Sequence, residues 1–143
     1  MKAIETTIFV EPVAKGRARV AVIAGRARAY TPKKTVNAEA DIKAAIRNQM
    51  VKEGHINGDS LLFDSGIPLY LEATFYRQKP KSTPKKVTMP VTKPDTDNYC
   101  KLLIDALNKF VFADDSQIVT LKLKKRFTDG TPCIYLKIRE EIE

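Results

Sequence analysis

The hydrophobic residues of this chain repeat with two different periods, and the order of these periods limits the folds that it can adopt. Apolar and polar residues alternate in segments typical of β-strands, and apolar residues recur every three or four positions in segments typical of α-helices. Strand periodicity covers residues 4–10, 19–30 (a hairpin that turns at Gly25), 68–77, 117–127 and 133–139, and helical periodicity covers 37–53 and 98–110. The order β-β-β-α-β-α-β-β predicts an α+β fold, with a mixed or antiparallel sheet packed against two main helices.

The same periodicity predicts helix ends and buried faces. We expect Asn37 to cap the first helix, because its short side chain can accept a hydrogen bond from the first turn. The side chains predicted to be buried are Ile42, Ala45, Ile46 and Met50 in the first helix, Tyr99, Leu102, Leu103, Ala106, Leu107 and Phe110 in the second, and Val119, Leu121, Leu123, Ile134, Leu136 and Ile138 in the last two strands.

The length of 143 residues predicts a single domain that spans residues 1–143. The sequence contains no run of about 18 apolar residues and no leader-like N-terminus, so we expect neither a membrane span nor a signal peptide. Cys100 and Cys133 are isolated, which favours reduced thiols in a cytoplasmic protein. The single histidine, His55, lies in a Gly-flanked segment, and these three residues lack the spacing of a zinc site.

The formal charge of +8 is concentrated in basic clusters within residues 15–34, 77–93 and 122–126, and the first two contain no acidic residue. Clustered positive charge suits a nucleic acid, because each neutralised phosphate releases condensed counterions. A solvated, solubilising surface is the alternative. The Pro-rich segment at about 78–94 has neither period and predicts an exposed, mobile, basic loop. The residues expected to bind nucleic acid are Lys15, Arg17, Arg19, Lys33, Lys34, Lys79, Lys81, Lys85 and Lys86.

Within this basic chain, carboxylates lie on both sides of the second predicted helix. Asp95 and Asp97 are at its start, and Asp114 and Asp115 follow it before the next strand. The two pairs come close together if that strand packs beside the start of the helix. Converging carboxylates suit Mg²⁺, which prefers oxygen ligands and binds substrate phosphate at the same time. A helix cap is the alternative role for one of the first two aspartates.

A lysine accompanies these carboxylates: Lys101 lies one helical turn after Asp97, on the same face. Its ammonium can stabilise the charge that develops on a phosphodiester, or orient an attacking water. The alternative is an i, i+4 ion pair with Asp97 or Asp105, worth about 0.3–0.5 kcal/mol if exposed.

The segment around this helix resembles the RusA family of Holliday junction resolvases. The shared pattern is Asp-x-Asp-Asn, a Lys four residues after the second Asp, Asp-Ala-Leu, and an Asp-Asp-x-Gln motif that leads into a strand. In this sequence the matching residues are Asp95, Asp97, Asn98, Lys101, Asp105, Ala106, Leu107, Asp114, Asp115 and Gln117. The upstream segments KGRARV and AYTPKKT also resemble the basic N-terminal part of the family, so the resemblance covers most of the chain.

The resemblance implies a small Mg²⁺-dependent endonuclease, often encoded by phages or prophages, that acts on four-way junctions in DNA recombination and repair. It also implies a homodimer, whose symmetry suits paired symmetric nicks. Carried over to this chain, the metal ligands are Asp95, Asp97 and Asp115, and the catalytic lysine is Lys101.

Other interpretations stay open at this stage. Asp105 either belongs to the site or orders Lys101, and Asp114 faces away from Asp115 if both lie on a strand. The chain could also be another structure-selective DNA nuclease. A third possibility is a non-catalytic nucleic-acid-binding module whose carboxylates are caps and solvated charges.

Overall fold

The computed structural model describes residues 2–16, 19–54 and 61–142, and it confirms the α+β class. The elements are β1 (Ala3–Ile8), β2 (Arg19–Ile23), β3 (Arg26–Tyr30), α1 (Lys33–Lys52), β4 (Leu69–Gln78), α2 (Thr96–Leu107), β5 (Ile118–Thr128) and β6 (Cys133–Glu140). A single turn of 3₁₀ helix, Asp115–Gln117, leads into β5. Arg17 and His55 lie outside the described residues, and of Arg19 only the backbone is described.

Four strands form the main sheet in the order β1-β6-β4-β5. β6 pairs antiparallel with both β1 and β4, whereas β4 and β5 run parallel. α1 packs against α2 and β1, and α2 also packs against β4 and β5. The strands β2 and β3 form a separate two-stranded antiparallel sheet. Helices and sheet share one hydrophobic core, in which Ile46, Leu71, Leu103 and Leu136 are fully buried.

The first helix begins at Lys33, so the prediction that Asn37 caps it is wrong. Pro32 occupies the capping position instead, with a φ of −53° that already suits a helix start. Its carbonyl accepts hydrogen bonds from two amides of the first turn. The helix can therefore begin directly after the proline, without a polar side chain to cap it. The predicted buried stripe of Ile42, Ile46 and Met50 is confirmed.

The second helix runs over Thr96–Leu107 rather than 98–110. It ends because Asn108 is extended and Lys109 adopts a left-handed φ of 60°. The predicted buried residues within its bounds are confirmed as buried: Tyr99, Leu102, Leu103, Ala106 and Leu107. Ala45 and Phe110, also predicted to be buried, are only half-buried.

In the last two strands, the prediction fails for β5. Ile134, Leu136 and Ile138 of β6 are buried as predicted. Val119 and Leu121 are instead 61% and 47% exposed. β5 lies at the edge of the sheet, with a strand on one side only, so its first half stays open to solvent. Leu123, further along the strand, is half-buried against the core.

Two further expectations concern the cysteines and the membrane. Cys100 and Cys133 are buried free thiols, in agreement with the prediction that they form no disulfide. Within the described ranges, neither helix combines the length and the apolar character that a membrane crossing requires.

The exposure of β5 gives a matched test of the core. Leu103→Ala should lower the free energy of unfolding by about 2–5 kcal/mol, because it leaves a cavity beneath α2. Leu121→Ala removes the same atoms from a half-exposed site and should cost about 1 kcal/mol or less. Urea denaturation followed by circular dichroism measures both. Equal losses for the two variants would contradict the exposed position of Leu121.

Candidate active site

One cavity between α2 and β5 brings carboxylates of the helix together with a carboxylate that follows it. It has a volume of about 320 Å³. Its lining residues are Asp97, Cys100, Lys101, Ile104, Asp105, Asp115, Leu121 and Leu123. Three carboxylates and one ammonium therefore share a cavity whose wall on the β5 side is apolar. Asp95 is not among the lining residues, although it directly precedes α2.

Asp95 occupies the N-cap position of α2, but its carboxylate forms no capping hydrogen bond. The alternative role as a helix cap therefore does not account for its side chain. Asp97 follows in the first turn, where the positive end of the helix dipole favours a negative charge. Both side chains are exposed.

Two basic side chains fix the chain just before Asp95. From β4, Arg77 donates hydrogen bonds to the carbonyl of Lys93 at 2.9 Å and to the hydroxyl of Thr92 at 2.7 Å. From β5, Lys125 donates to the carbonyls of Thr92 and Pro94, at 2.9 and 3.0 Å. The parallel pair β4–β5 thereby holds the end of the basic loop and sets where α2 begins. Arg77 and Lys125 thus donate hydrogen bonds to backbone carbonyls. Their membership of basic clusters in the sequence did not predict this role.

After the helix, a hydrogen-bonded turn presents Asp115. The Asp114 carboxylate accepts a hydrogen bond from the Ser116 amide at 3.1 Å, and the Asp114 amide donates to Gln117 Oε1 at 3.0 Å. The hydrogen bond from Ser116 lowers the pKa of Asp114. Asp114 is thus occupied in a capping box, and Asp115 is the member of the pair that lines the cavity.

Gln117 anchors this turn to the body of the protein. Its buried side-chain amide donates to the carbonyls of Asp64 and Ile67, at 2.8 and 3.0 Å. The sequence motif included Gln117 without assigning it a role. The spacing Asp-x-x-Gln is itself the signature of a capping box and would have predicted this turn.

Lys15, predicted to bind DNA, forms two ion pairs inside the protein. Its ammonium lies 2.8 Å from Glu39 Oε1 and 2.9 Å from Asp105 Oδ2. Partial burial acts to lower the pKa of Lys15, but the hydrogen bonds to Glu39 and Asp105 outweigh it, so the pKa is raised. Its backbone amide also donates to the carbonyl of Asn98 at 3.2 Å. Lys15 therefore ties the N-terminal segment to both helices.

These contacts bear on the alternative role of Lys101. Asp105 pairs with Lys15, and among the described residues Lys101 forms no ion pair with Asp97 or Asp105. The ammonium of Lys101 is exposed at the cavity. It is therefore available to a ligand there, and its predicted role as the catalytic lysine stays a prediction.

The other predicted DNA-binding residues with described side chains lie at the start of α1 and in the segment that follows β4. Lys33 and Lys34 are exposed in the first turn of α1. Lys81, Lys85 and Lys86 are exposed in the connection between β4 and α2, which has no regular secondary structure. Lys79 is half-buried, with its ammonium 5.8 Å from the centre of the Phe127 ring.

Cys100 contributes a sulfur atom to the cavity wall but is not a suitable nucleophile. Burial, with the Asp97 charge as a second cause, raises the pKa of its thiol to about 11. The thiol is therefore protonated at neutral pH, whereas the thiolate is the reactive form. The chemistry of the cavity rests on its oxygen and nitrogen groups.

Known protein families and curated proteins include relatives of this chain. The family described as Endodeoxyribonuclease RusA matches residues 10–139. The chain belongs to the RusA family. It is also 33% identical over 150 residues to the "Uncharacterized protein YqaN" of Bacillus subtilis (strain 168), with 98% of each chain covered. The RusA match contains every carboxylate described above and Lys101, and it supports an endonuclease activity on DNA.

The lining of this RusA-family cavity includes side chains of the kind that bind metal ions. Asp97, Asp105 and Asp115 supply carboxylate oxygens, which hard divalent cations prefer. Across residues 2–16, 19–54 and 61–142, no three His, Cys, Asp or Glu side chains lie close enough together to form a ready-made site. The carboxylate oxygens are therefore of the type that a hard cation binds. In this structure, however, the described side chains are not yet close enough together to coordinate one ion.

The position of Lys15 leads to a stability prediction. Lys15→Met keeps the apolar stem but leaves Glu39 and Asp105 without their shared partner, and should cost about 1 kcal/mol at neutral pH. Because the pKa is raised above 10.5 in the folded state, this contribution is fully present below the unfolded value and is lost as pH rises through the folded value. Urea unfolding of both proteins across this pH range measures it.

The exposed Lys2 provides the control, because Lys2→Met removes the same charge from a solvated position. We expect little change from Lys2→Met at any pH. A loss for Lys15→Met that equals the control, or that persists unchanged at high pH, would contradict the role of the two ion pairs.

Proposed function

We propose that this chain is a Mg²⁺-dependent endonuclease that resolves four-way DNA junctions by paired symmetric nicks, in DNA recombination and repair. The observation that carries the proposal is the single cavity lined by Asp97, Lys101 and Asp115, all within the segment matched by the RusA family. Carboxylates, which divalent cations prefer, and an ammonium, which attracts phosphate, line the same cavity, and this supports the proposal. The family match supports the nuclease activity, and the metal, the junction and the mechanism are the proposal.

The proposed metal ligands are Asp95, Asp97 and Asp115. Mg²⁺ usually keeps several waters and is bound through one or two carboxylates together with substrate phosphate. A complete set of protein ligands is therefore not needed before DNA binds. All three side chains are exposed, so their rotamers can adjust to a shared ion. When bound, the ion would activate a water and stabilise the negative charge that develops at phosphorus.

Lys101 is the proposed catalytic lysine. Its side chain leaves α2 one turn after Asp97 and reaches the same cavity, so a phosphate held by the carboxylate-bound ion would also lie within its reach. Lacking an ion pair among the described residues, the ammonium can donate to a non-bridging phosphate oxygen or orient the attacking water. Either role lowers the energy of the charged transition state more than that of the bound substrate.

The charge distribution supports a branched DNA substrate. The exposed lysines available to phosphates are Lys33 and Lys34 at the start of α1, and Lys81, Lys85 and Lys86 in the connection to α2. Recognition of a junction by such contacts depends on the backbone and on branch shape more than on base edges. A homodimer would present two cavities to the two strands that must be cut, matching the two-fold symmetry of the junction.

Asp97→Asn and Asp115→Asn should each abolish Mg²⁺-dependent cleavage of a synthetic four-way junction. Binding should persist or tighten, because each change removes a negative charge near phosphate. The control is Asp129→Asn in the exposed turn between β5 and β6, which should cleave like the wild type. Denaturing gels with Mg²⁺ or EDTA measure cleavage, and fluorescence anisotropy in EDTA measures binding. Unchanged cleavage by both site variants would favour a non-catalytic binding module.

The substrate is tested by comparing the four-way junction with a flap and a linear duplex. The proposal expects cleavage of the junction to be the fastest, with symmetric products. Equal rates on all three substrates would remove the resolvase assignment and leave a less selective nuclease.

A further inference from the structure

The hairpin formed by β2 and β3, which we call the ribbon (residues 19–30), stands apart from the main sheet. Within the part of the chain that the structure describes, its two strands pair only with each other, in a sheet of their own. Val20, Val22 and Ile23 are 69%, 76% and 56% exposed. An isolated two-stranded hairpin is marginally stable in water, so contact with a ligand would stabilise it. The chemistry of its two faces indicates which ligand that is.

The ribbon has two chemically different faces. Residues directly opposite each other in an antiparallel pair share one face, and successive residues alternate between faces. The register pairs Ala21 with Arg28 and Ile23 with Arg26, so these residues and Tyr30 lie on one face. The register likewise places Val20, Val22, Ala27 and Ala29 together on the other face. One face is basic, and the other carries only small apolar side chains.

The base of the ribbon is fixed next to α2. Just before β2, the Lys15 amide donates to the carbonyl of Asn98, and the Gly16 amide donates to Thr35 Oγ1 at 3.0 Å. A Cβ on Gly16 would lie 2.7 Å from that same oxygen, so only glycine permits this close approach. Just after β3, Pro32 occupies the N-cap position of α1. The ribbon thus leaves and rejoins the body of the protein beside the residues that follow Asp97.

The end of the ribbon is a tight turn. Ala24 and Gly25 have φ values of 53° and 76°, the signs that a type I′ turn requires at its two central residues. Such a turn keeps the two strands close together along their full length. The resulting two-stranded ribbon has the width that the major groove of DNA admits.

We propose that the ribbon is a DNA-binding arm whose basic face, with Arg26, Arg28 and Tyr30, lies against a duplex arm of the substrate next to the cavity. The choice of DNA rests on charge: residues 15–34 contain no acid, and neither Arg26 nor Arg28 forms an ion pair within the described residues. The inference rests on the proposed function for its substrate. It adds a contact surface separate from the carboxylates and from the basic loop.

The test compares two variants of the ribbon with a control of equal charge. Arg26→Ala with Arg28→Ala removes the basic face, whereas Val20→Thr with Val22→Thr changes the apolar face and keeps the β-branched shape. Lys2→Ala with Lys52→Ala removes two charges from exposed positions outside the ribbon. Binding of a four-way junction and of linear duplex is measured by anisotropy in EDTA over a series of salt concentrations. Thermal melting checks that each variant folds.

We expect the double arginine variant to bind about tenfold more weakly than the wild type and to reduce the slope of log K against log salt by about 2, one per lost phosphate contact. The valine and lysine variants should stay within about threefold of the wild type. Equal weakening in the arginine and lysine variants would overturn the proposal, because the charge would then act without regard to position. Equal weakening in the valine variant would overturn it in favour of contact through the apolar face.

The same proteins are then assayed for junction cleavage in Mg²⁺. Absence of cleavage by the wild type would overturn the proposed function. The arm would still be judged by the binding data, which are taken in EDTA and do not depend on catalysis. If the wild type cleaves the junction and the arginine variant binds it normally, the proposed DNA-binding role of the ribbon is wrong, while the proposed nuclease function is supported.

Discussion

The parallel pairing of β4 and β5 is the constraint on which the rest of the site depends. Two parallel neighbours cannot be joined by a tight turn, so the chain must cross over the sheet between them. This crossover contains the basic loop, α2 and the capping-box turn, and with them every carboxylate of the candidate site. The carboxylates lie on both sides of one helix because both ends of the crossover return to the same pair of strands.

Polar contacts at the two ends of the crossover hold it in place. At the start of α2, Arg77 and Lys125 bind backbone carbonyls of the preceding segment. At its far end, Gln117 is buried and binds the carbonyls of Asp64 and Ile67. These groups belong to strands or to a turn that the core supports, so the exposed aspartates extend from a fixed backbone. The backbone contacts therefore fix where the aspartate side chains begin, although these side chains are themselves exposed to solvent.

The fold could be predicted from the sequence where periodicity follows burial. Leu102, Leu103, Ala106 and Leu107 form the buried face of α2 because the helix packs against α1 and the strands β4 and β5. The same reasoning fails for Val119 and Leu121, because alternation along a strand cannot reveal that the strand is at an edge and partly uncovered. The start of α1 at Lys33 was missed because a proline cap needs no polar side chain.

For the candidate site, the sequence identified the residues but not their partners. Asp97, Lys101 and Asp115 could be chosen from their types and spacing, and they do line one cavity. Lys15 could not be separated from the other lysines of its cluster, because its partners Glu39 and Asp105 are brought to it only by the packing of α1 against α2. The sequence shows that a charged side chain is present. Whether an opposite charge lies beside it depends on tertiary contacts.

The ion pair between Lys15 and Asp105 separates the carboxylates of the cavity into two groups. One carboxylate is neutralised within the protein, and the others stay available to a cation. Without Lys15, the cavity would contain Asp97, Asp105 and Asp115 against Lys101 alone, and their mutual repulsion would oppose the packing of α2 on β5. Lys15 pairs with Asp105 and removes one of these charges from the balance. Asp97 and Asp115 then retain negative charge for a cation, while Lys101 stays available for phosphate. The basic N-terminal segment thus supports the acidic site directly, because one of its lysines is part of the site's charge balance.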